Sequence, residues 1–298
     1  MICTRDRPEL LDRCLASVSR LEYPRPFEVI VVDNAPNMPA REICQRWTAR
    51  YILEPTKGLS RARNCGARHA SGDLVMYLDD DAVAEPQWLI GLAREFQDPR
   101  VAMVAGRVLP LSGNEEFAVI LDCGVERCVV DRQSTAWFER RALGGLVIGT
   151  NMAVRACVFA NWPGFDPRLG PGAPLFTSDD DFAFLSLVDL GFKVVYTPAA
   201  VIRHPVPATL PELRAMYLRK RVEQGVYVAF LLAEGRHRRD LIDYFLSRLA
   251  GHRGAKYSEA CTLVSPKHQI GAMLKGMALF ARWKLTGKPV TSSRSLSV

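Results

Sequence analysis

Apolar and polar positions follow two different periods along the first part of the chain. Short apolar runs at residues 27–33, 51–53 and 74–78 have the length and composition of buried strands. Residues 10–18 instead place apolar side chains three and four positions apart, as on one face of a helix, and a second helix is indicated at 40–50. Strands that alternate with helices at this spacing predict an α/β fold with a doubly wound, mostly parallel sheet.

Local signals at the ends of these elements refine the prediction. Residues 1–3 resemble the last part of a strand whose first half is absent. Asp6 is expected to cap the next helix, with Pro8 in its first turn and Glu9 completing a capping box. A further helix is expected to begin at Gly58 and to lead into the third apolar run.

After residue 205 the pattern contains helices alone. They are predicted from Pro211 to about Glu234, over residues 239–250 and over residues 267–285. One face of the last helix collects apolar residues, namely Ile270, Met273, Leu274, Met277 and Ala281. Because its polar residues include Lys and Arg, this helix can lie on an anionic membrane, or it can pack on the protein with its cations in water.

Charge and cysteine spacing bear on where the protein works. Residues 1–200 carry 22 Lys and Arg against 26 Asp and Glu, whereas residues 201–298 carry 17 against 6, which indicates an anionic surface or partner for the tail. The eight cysteines show no CxxC pair or zinc spacing and fit a reducing cytosol. No signal peptide is apparent, and no apolar run reaches the roughly 20 residues that span a bilayer. We expect a cytoplasmic protein, peripheral to the inner face of the plasma membrane if the tail binds lipid.

Three consecutive aspartates, Asp79, Asp80 and Asp81, follow the third apolar run. Neighbouring carboxylates repel one another and are costly to bury unless a cation offsets them. Ligands of open α/β sheets bind beyond the carboxyl ends of the strands, and Mg²⁺ or Mn²⁺ takes oxygen ligands there together with substrate phosphates. The triplet therefore indicates a metal-diphosphate site, or alternatively a solvated acidic loop or helix cap.

A series of motifs in a fixed order resembles family 2 of the inverting glycosyltransferases, which have the GT-A fold. The motifs are Ile-Cys-Thr-Arg-Asp-Arg-Pro at residues 2–8, Val-Val-Asp-Asn at 31–34, Gly-Leu-Ser-x-Ala-Arg-Asn-x-Gly at 58–66, Leu-Asp-Asp-Asp-Ala at 78–82, Gly-Thr-Asn-Met-Ala-Val-Arg at 149–155, Thr-Ser-Asp-Asp-Asp-Phe at 177–182, Gly-Phe-Lys-Val-Val-Tyr-Thr-Pro at 191–198, and His204. One such motif is weak, but the ordered series is specific.

The resemblance implies a GT-A (Rossmann-like) catalytic domain over residues 1–205 with a C-terminal helical appendage. The nucleotide-sugar half would occupy about residues 1–110 and the acceptor half about 111–205, followed by a basic helical region at 206–298. The donor-binding residues that it implies are Thr4, Arg5, Asp33, Arg63, Asp79, Asp80 and Asn151. The metal ligands, for Mg²⁺ or Mn²⁺, would be Asp81, Asp79 and His204. The alternative for Asn151 is that it stabilises a turn, and the alternative for His204 is a structural polar contact.

The general base that the resemblance implies is Asp179, with Asp180 as the alternative. An inverting displacement needs a base on the acceptor hydroxyl while the sugar passes through an oxocarbenium-like state. The family usually has Glu before this Asp, and here Ser178 stands in that place. These aspartates would also suit the N-terminus of a helix that runs to Leu190. Residues 170–174, rich in Gly and Pro, have the composition of an acceptor flap.

The function predicted is metal-dependent, inverting transfer of a sugar from a nucleoside-diphosphate sugar to a hydroxyl of a glycan or glycolipid acceptor, in surface polysaccharide synthesis. UDP is the commonest base in the family's donors, and the acceptor is expected to be a glycan or a lipid-linked glycan. The alternatives are a sugar-nucleotidyltransferase, although the opening segment lacks that class's glycine-rich phosphate loop, and a nonenzymatic nucleotide-sugar-binding module. The chain shows no motif for nucleic-acid binding.

Overall fold

A computed structural model describes most of the chain, and the described residues are 1–111, 124–135, 137–138, 149–207, 209–249 and 264–290. The predicted acceptor half and the predicted helical region therefore each include stretches that lie outside the described residues. The division into domains at residue 205 stays a prediction.

A mixed sheet forms the centre of the described structure. Its strands are β1 (Ile2–Thr4), β2 (Ile30–Asn34), β3 (Arg50–Glu54), β4 (Leu74–Asp79), β5 (Val83–Ala84), β6 (Val101–Pro110), β7 (Cys128–Val130), β8 (Asn151–Arg155) and β9 (Lys193–His204). The order across the sheet is β3-β2-β1-β4-β8-β6-β9-β5, with β7 also paired to β9. Strands β1, β2, β3, β4, β6 and β9 run in one direction, and β8, β5 and β7 run against them. The prediction of a mostly parallel sheet is confirmed.

Helices cover both faces of this sheet. They are α1 (Pro8–Val18), α2 (Arg41–Arg46), α3 (Leu59–His69), α4 (Trp88–Ala93), α5 (Asp179–Asp189), α6 (Leu210–Ala233), α7 (Arg238–Leu249) and α8 (Pro266–Thr286). One apolar core lies under α1 and α4, around Leu11 and Leu92, and another lies under α5 and α6, around Phe184 and Tyr227. The strands between two such layers are buried on both sides, which explains their continuous apolar runs.

The predicted capping role of Asp6 is wrong. Residue Arg7 precedes α1 without a side-chain cap, and Asp6 has a left-handed backbone with φ of 55°. The Asp6 carboxylate instead accepts hydrogen bonds from the backbone N–H of Asn37 (2.7 Å) and of Met38 (3.3 Å). Asp6 therefore joins the loop after β1 to the loop after β2, which is a contact that no local sequence signal reveals.

Helix α8 packs on α6 through a close backbone approach. A Cβ atom at Gly225 would meet the carbonyl oxygen of Met273, and one at Gly276 would meet that of Val222. The residues that α8 buries are Ala272, Gly276 and Phe280. Of the two alternatives for the apolar face of α8, packing on the protein is wrong for Ile270 and Leu274, because both are exposed.

Within the part of the chain that the structure describes, no helix has both the length and the apolar character needed to cross a bilayer.

Candidate functional site

The triple aspartate lies where β4 ends, beside the end of β1. Thr4 donates a hydrogen bond from Oγ1 to Oδ2 of Asp80 (2.7 Å). Arg7 reaches the same group from the start of α1, with Nη1 3.1 Å from Asp80 Oδ1 and 3.4 Å from Asp81 Oδ2. Both oxygens of Asp80 are thus held by the protein, and Asp80 fixes the loop rather than facing an open site.

Asp79, Asp81 and His204 converge on one point. A ligand atom from each side chain lies within 4.8 Å of the other two. His204 Nδ1 is 2.8 Å from the carbonyl oxygen of Pro205, which can only accept, so this nitrogen carries a proton. In the neutral ring Nε2 then bears the lone pair, and it lies 3.1 Å from Asp81 Oδ1. Two carboxylates and an imidazole suit Mg²⁺ less than Mn²⁺, which tolerates nitrogen.

Burial and neighbouring charges shift the pKa values of this cluster in opposite directions. Burial raises the pKa of Asp79, although the charge of Arg63 opposes it. For Asp81, burial also works to raise the pKa, but the contact with His204 outweighs it and the pKa is lowered. Burial works to lower the pKa of His204, but the hydrogen bond and the charge of Asp81 outweigh burial, and the pKa is raised. The cluster holds an excess of negative charge that a divalent cation would offset.

A second acidic centre lies at the first residues of α5, and Arg63 separates it from the cluster of Asp79, Asp81 and His204. Asp179 is 4% exposed, and its Oδ2 is paired with Nη1 of Arg63. Nη2 of the same guanidinium donates to the carbonyl oxygen of Gly149 (2.9 Å) and lies 3.6 Å from Asp79 Oδ1. Arg63 therefore links the candidate metal cluster to the predicted base.

The pKa of Asp179 is raised to about 6. Burial is the largest cause, the charge of Arg63 opposes it, and the charge of Asp180 adds to it. A carboxyl group that titrates near 6 is suited to accept a proton at neutral pH.

Asp180 is oriented differently from Asp179. Its Oδ2 accepts a hydrogen bond from the backbone N–H of Gly149 (2.8 Å), and its Oδ1 accepts one from that of Asp181 (2.9 Å). The residue before α5 is Ser178, which is left-handed (φ 59°) and makes no side-chain cap. The three aspartates occupy the first turn of α5, where the helix dipole favours negative charge.

Asp33 lies at the end of β2 with one oxygen unused. Its Oδ2 accepts hydrogen bonds from the backbone N–H of Ala40 (2.8 Å) and from the hydroxyl of Tyr51 (3.2 Å). Its Oδ1 is buried and has no hydrogen-bond partner among the described residues. Burial raises the pKa of Asp33. Nearby, Arg5 Nε donates to the carbonyl oxygen of Ala35 (3.1 Å), so Arg5 braces the loop after β2.

Asn151 has a structural position. Its Oδ1 accepts a hydrogen bond from Trp88 Nε1 (2.8 Å), and its Nδ2 donates to the carbonyl oxygens of Arg107 (2.8 Å) and Ala200 (3.0 Å). Both amide protons are used inside the fold, and the residue is fully buried. Asn151 therefore ties the start of β8 to its neighbours inside the fold.

The glycine-rich segment before α5 packs on the site. A Cβ atom at Gly170 would lie 2.8 Å from Cγ of Asp179, so the backbone there covers the carboxyl group. The carbonyl oxygen of Pro171 accepts a hydrogen bond from the N–H of Leu59 at the start of α3 (2.9 Å). Ser60 Oγ donates to the carbonyl oxygen of Leu169 (2.8 Å). The segment connects α3 to α5 above the predicted base.

Two basic residues of the site do not emerge from the sequence. The first motif points to Arg5, yet Arg7 of the same motif is the residue that contacts the aspartates. Lys220 of α6 has a raised pKa, of which the charge of Glu223 is the largest cause and that of Asp180 a smaller one. Lys220 is distant in sequence from the acidic triplets, and only the position of α6 brings it near them.

Comparison with known proteins agrees with the fold and the motifs. The family model described as Glycosyl transferase family 2 matches residues 1–155. An N-acetylglucosaminyltransferase of Rhizobium meliloti (strain 1021) is 27% identical over 232 residues, which cover 70% of this chain and 50% of that protein. The succinoglycan biosynthesis protein ExoM of the same strain is 33% identical over 293 residues, covering 89% of this chain and 84% of ExoM. The chain spans about half the length of the N-acetylglucosaminyltransferases that it matches.

Solved structures share the architecture at low sequence identity. The mannosyltransferase PcManGT from Pyrobaculum calidifontis, in complex with GDP-Man and Mn²⁺, has a TM-score of 0.60 and 18% identity, and the match covers 96% of this chain and 74% of that one. S. aureus TarS 1-349 has a TM-score of 0.53 and 15% identity over 96% of this chain and 90% of that one. These neighbours confirm the expected fold.

Proposed function

The chain belongs to glycosyl transferase family 2, and from that premise we propose that it transfers a sugar from a nucleoside-diphosphate sugar to a hydroxyl of a glycan or glycolipid acceptor, with inversion. The family match favours glycosyl transfer over the nucleotidyl transfer and the nonenzymatic binding that the sequence left open. The likeness to the succinoglycan biosynthesis protein supports a role in polysaccharide synthesis.

The observation that carries the proposal is the pairing of two acidic centres through Arg63. Asp79 belongs to a cluster that suits a divalent cation, and Asp179 is a buried carboxyl group with a raised pKa. The guanidinium between them is buried and paired with both, so it holds the proposed base in a fixed position relative to the proposed metal cluster. A donor held by the metal cluster would thus lie close to the proposed base, as a displacement at the sugar carbon requires.

The donor half of the site would bind the nucleotide beyond the ends of β1 and β2. The free Oδ1 of Asp33 suits an N–H of the base, since a buried carboxylate oxygen without a partner is costly. Thr4 and Arg5 lie at the end of β1 on the same side. Asp79, Asp81 and His204 would hold Mg²⁺ or Mn²⁺, which offsets charge on a leaving diphosphate when bound.

Asp179 would take the proton from the acceptor hydroxyl. Its raised pKa brings it close to neutral pH, and Arg63 keeps the carboxylate ionised and oriented. Asp180 is the less suited of the two, because both of its oxygens accept backbone hydrogen bonds. The Gly170 backbone over Asp179 would limit the access of water to the base.

We assign the donor to the UDP-sugars, in line with the family's commonest base, and the acceptor to lipid-linked glycans. The GDP-Man of the mannosyltransferase neighbour makes GDP-sugars the first alternative to test. A lipid-linked acceptor would place the protein at the inner face of the plasma membrane.

Replacement of the proposed base separates binding from transfer. Asp179→Asn keeps the size of the side chain and an oxygen that can accept a hydrogen bond from Arg63, and Asp79 still faces that guanidinium, so we expect donor affinity within about threefold of wild type. Release of nucleoside diphosphate should fall by about 10²–10⁴-fold, the usual contribution of a general base. Calorimetry measures the first quantity and a coupled nucleoside-diphosphate assay, with water or added glycan as acceptor, the second.

Asp180→Asn is the matched control on the neighbouring residue. We expect it to retain most of the activity. Full activity in Asp179→Asn, with loss in Asp180→Asn, would instead make Asp180 the base.

A further inference from the structure

Helix α8 presents a stripe of apolar side chains to solvent. Ile270, Leu274 and Leu285 are 56%, 59% and 85% exposed, and the small residues Ala278 and Ala281 between them are exposed as well. The spacing of four, four, three and four residues keeps all five on one side of the helix. Three large exposed apolar residues on one helix are unusual for a surface that faces only water.

Basic residues border this stripe. Lys267, Lys275, Arg282 and Lys284 belong to α8, and Lys288 follows it. The sequence from residue 260 to residue 298 contains no Asp or Glu. The opposite side of the helix is already used, because Ala272, Gly276 and Phe280 pack on the protein. The outward face therefore combines an apolar centre with a purely cationic border.

The end of α8 also adjoins the candidate site. After Gly287 the chain turns back, and the backbone N–H of Val290 donates to the carbonyl oxygen of Pro174 (2.8 Å). Pro174 belongs to the segment whose Gly170 covers Asp179. The C-terminal end of α8 is thus connected to the segment whose Gly170 covers Asp179.

We propose that α8 docks in the plane of an anionic membrane, with Ile270, Leu274 and Leu285 in the headgroup–acyl boundary and its Lys and Arg on acidic lipid headgroups. An apolar stripe with a basic border is the pattern of an interfacial helix, and each cation near such a surface adds to binding. The inference rests on the lipid-linked acceptor of the proposed function, because docking would hold the Gly170–Pro174 segment at the lipid surface.

Vesicle sedimentation tests the docking. The full chain is mixed with vesicles of phosphatidylcholine containing about one third phosphatidylglycerol, and with vesicles of phosphatidylcholine alone. We expect at least about tenfold stronger partitioning onto the anionic vesicles, weakened by raised salt. Ile270→Glu with Leu274→Glu should lower the partitioning about tenfold or more, because it puts charge in place of the apolar stripe.

The matched control moves the same change to other exposed apolar positions. Leu190 is 48% and Ile242 is 56% exposed, and neither belongs to α8. Leu190→Glu with Ile242→Glu should bind vesicles as wild type does. Equal binding by the α8 variant and wild type, or no preference for anionic vesicles, would overturn the proposal.

Two further readouts distinguish membrane docking from self-association and from a failure of the sugar-nucleotide site. Light scattering without lipid should show the same mass for wild type and the α8 variant. If wild type is instead a dimer and the α8 variant is a monomer, the stripe binds a second copy of the chain, and membrane docking is overturned. Calorimetric binding of a nucleoside-diphosphate sugar in solution should be equal in both proteins. Loss of sugar-nucleotide binding in all proteins, with vesicle binding retained, would refute the proposed function and leave the docking intact.

Discussion

At the scale of single residues, the guanidinium of Arg63 decides how the acidic groups of the site behave. Arg63 is 3% exposed and lies between Asp79 and Asp179. Burial works to lower its pKa, but the charges of Asp179 and Asp79 outweigh this and keep it protonated. Removing one member of a buried pair leaves an uncompensated charge, which typically costs about 3–5 kcal/mol. Loss of Arg63 would therefore leave Asp79 and Asp179 without the cation that they share.

The pKa of Asp179 gives a prediction for the pH dependence of transfer. A base must be ionised, and the pKa of Asp179 is raised to about 6, above its usual 3.8. The rate at saturating donor and Mn²⁺ should therefore be high at pH 7.5 and fall about tenfold per pH unit below 6. Steady-state rates between pH 4.5 and 8 check this, with circular dichroism to confirm folding at each pH. A rate that stays constant down to pH 5 would contradict the assignment.

At the scale of elements, the sequence predicted the strands and helices whose positions follow from the spacing of apolar residues. The run that became β2 is buried throughout and the run that became β4 is buried or half-buried at every position, so composition alone revealed them, and the carboxyl end of β4 followed from the same pattern. The side of α8 that packs on α6 was not predicted, because this contact depends on the absence of side chains at Gly225 and Gly276. A hydrophobicity pattern does not register a contact between two backbones.

A pair of glycine substitutions tests this helix contact. In Gly276→Ala the new methyl group meets backbone atoms of Val222 and Val226, which cannot rotate away, so α6 and α8 must separate. We expect a loss of about 1–3 kcal/mol in the free energy of unfolding, measured by urea denaturation. Gly271→Ala on the same helix meets no atom within 4 Å and should gain about 0.5–1 kcal/mol from helix propensity. Equal effects of the two changes would contradict the packing described.

At the scale of the whole molecule, distant segments meet at the sheet's carboxyl edge. The motif order located Asp79, Asp81, Asp179 and His204, and the structure brings three of them within 4.8 Å. The sequence did not reveal that Asn151 is used inside the fold, or that Val290 contacts the segment over Asp179, because both depend on pairings of residues far apart in the chain. The proposed base, the segment that covers it and the basic C-terminal region thus come together only in the folded protein.

Metal-dependent binding of a sugar nucleotide is decided by calorimetric titration with UDP-, dTDP- and GDP-sugars, each with and without Mn²⁺. We expect that one of them binds in the presence of Mn²⁺, and that this one is a UDP-sugar. Its affinity should fall at least about tenfold when the metal is chelated or when Asp81→Ala removes a ligand, as loss of metal-site groups usually does. Binding of none of these sugars, or binding that neither the metal nor Asp81 affects, would contradict the proposed donor site.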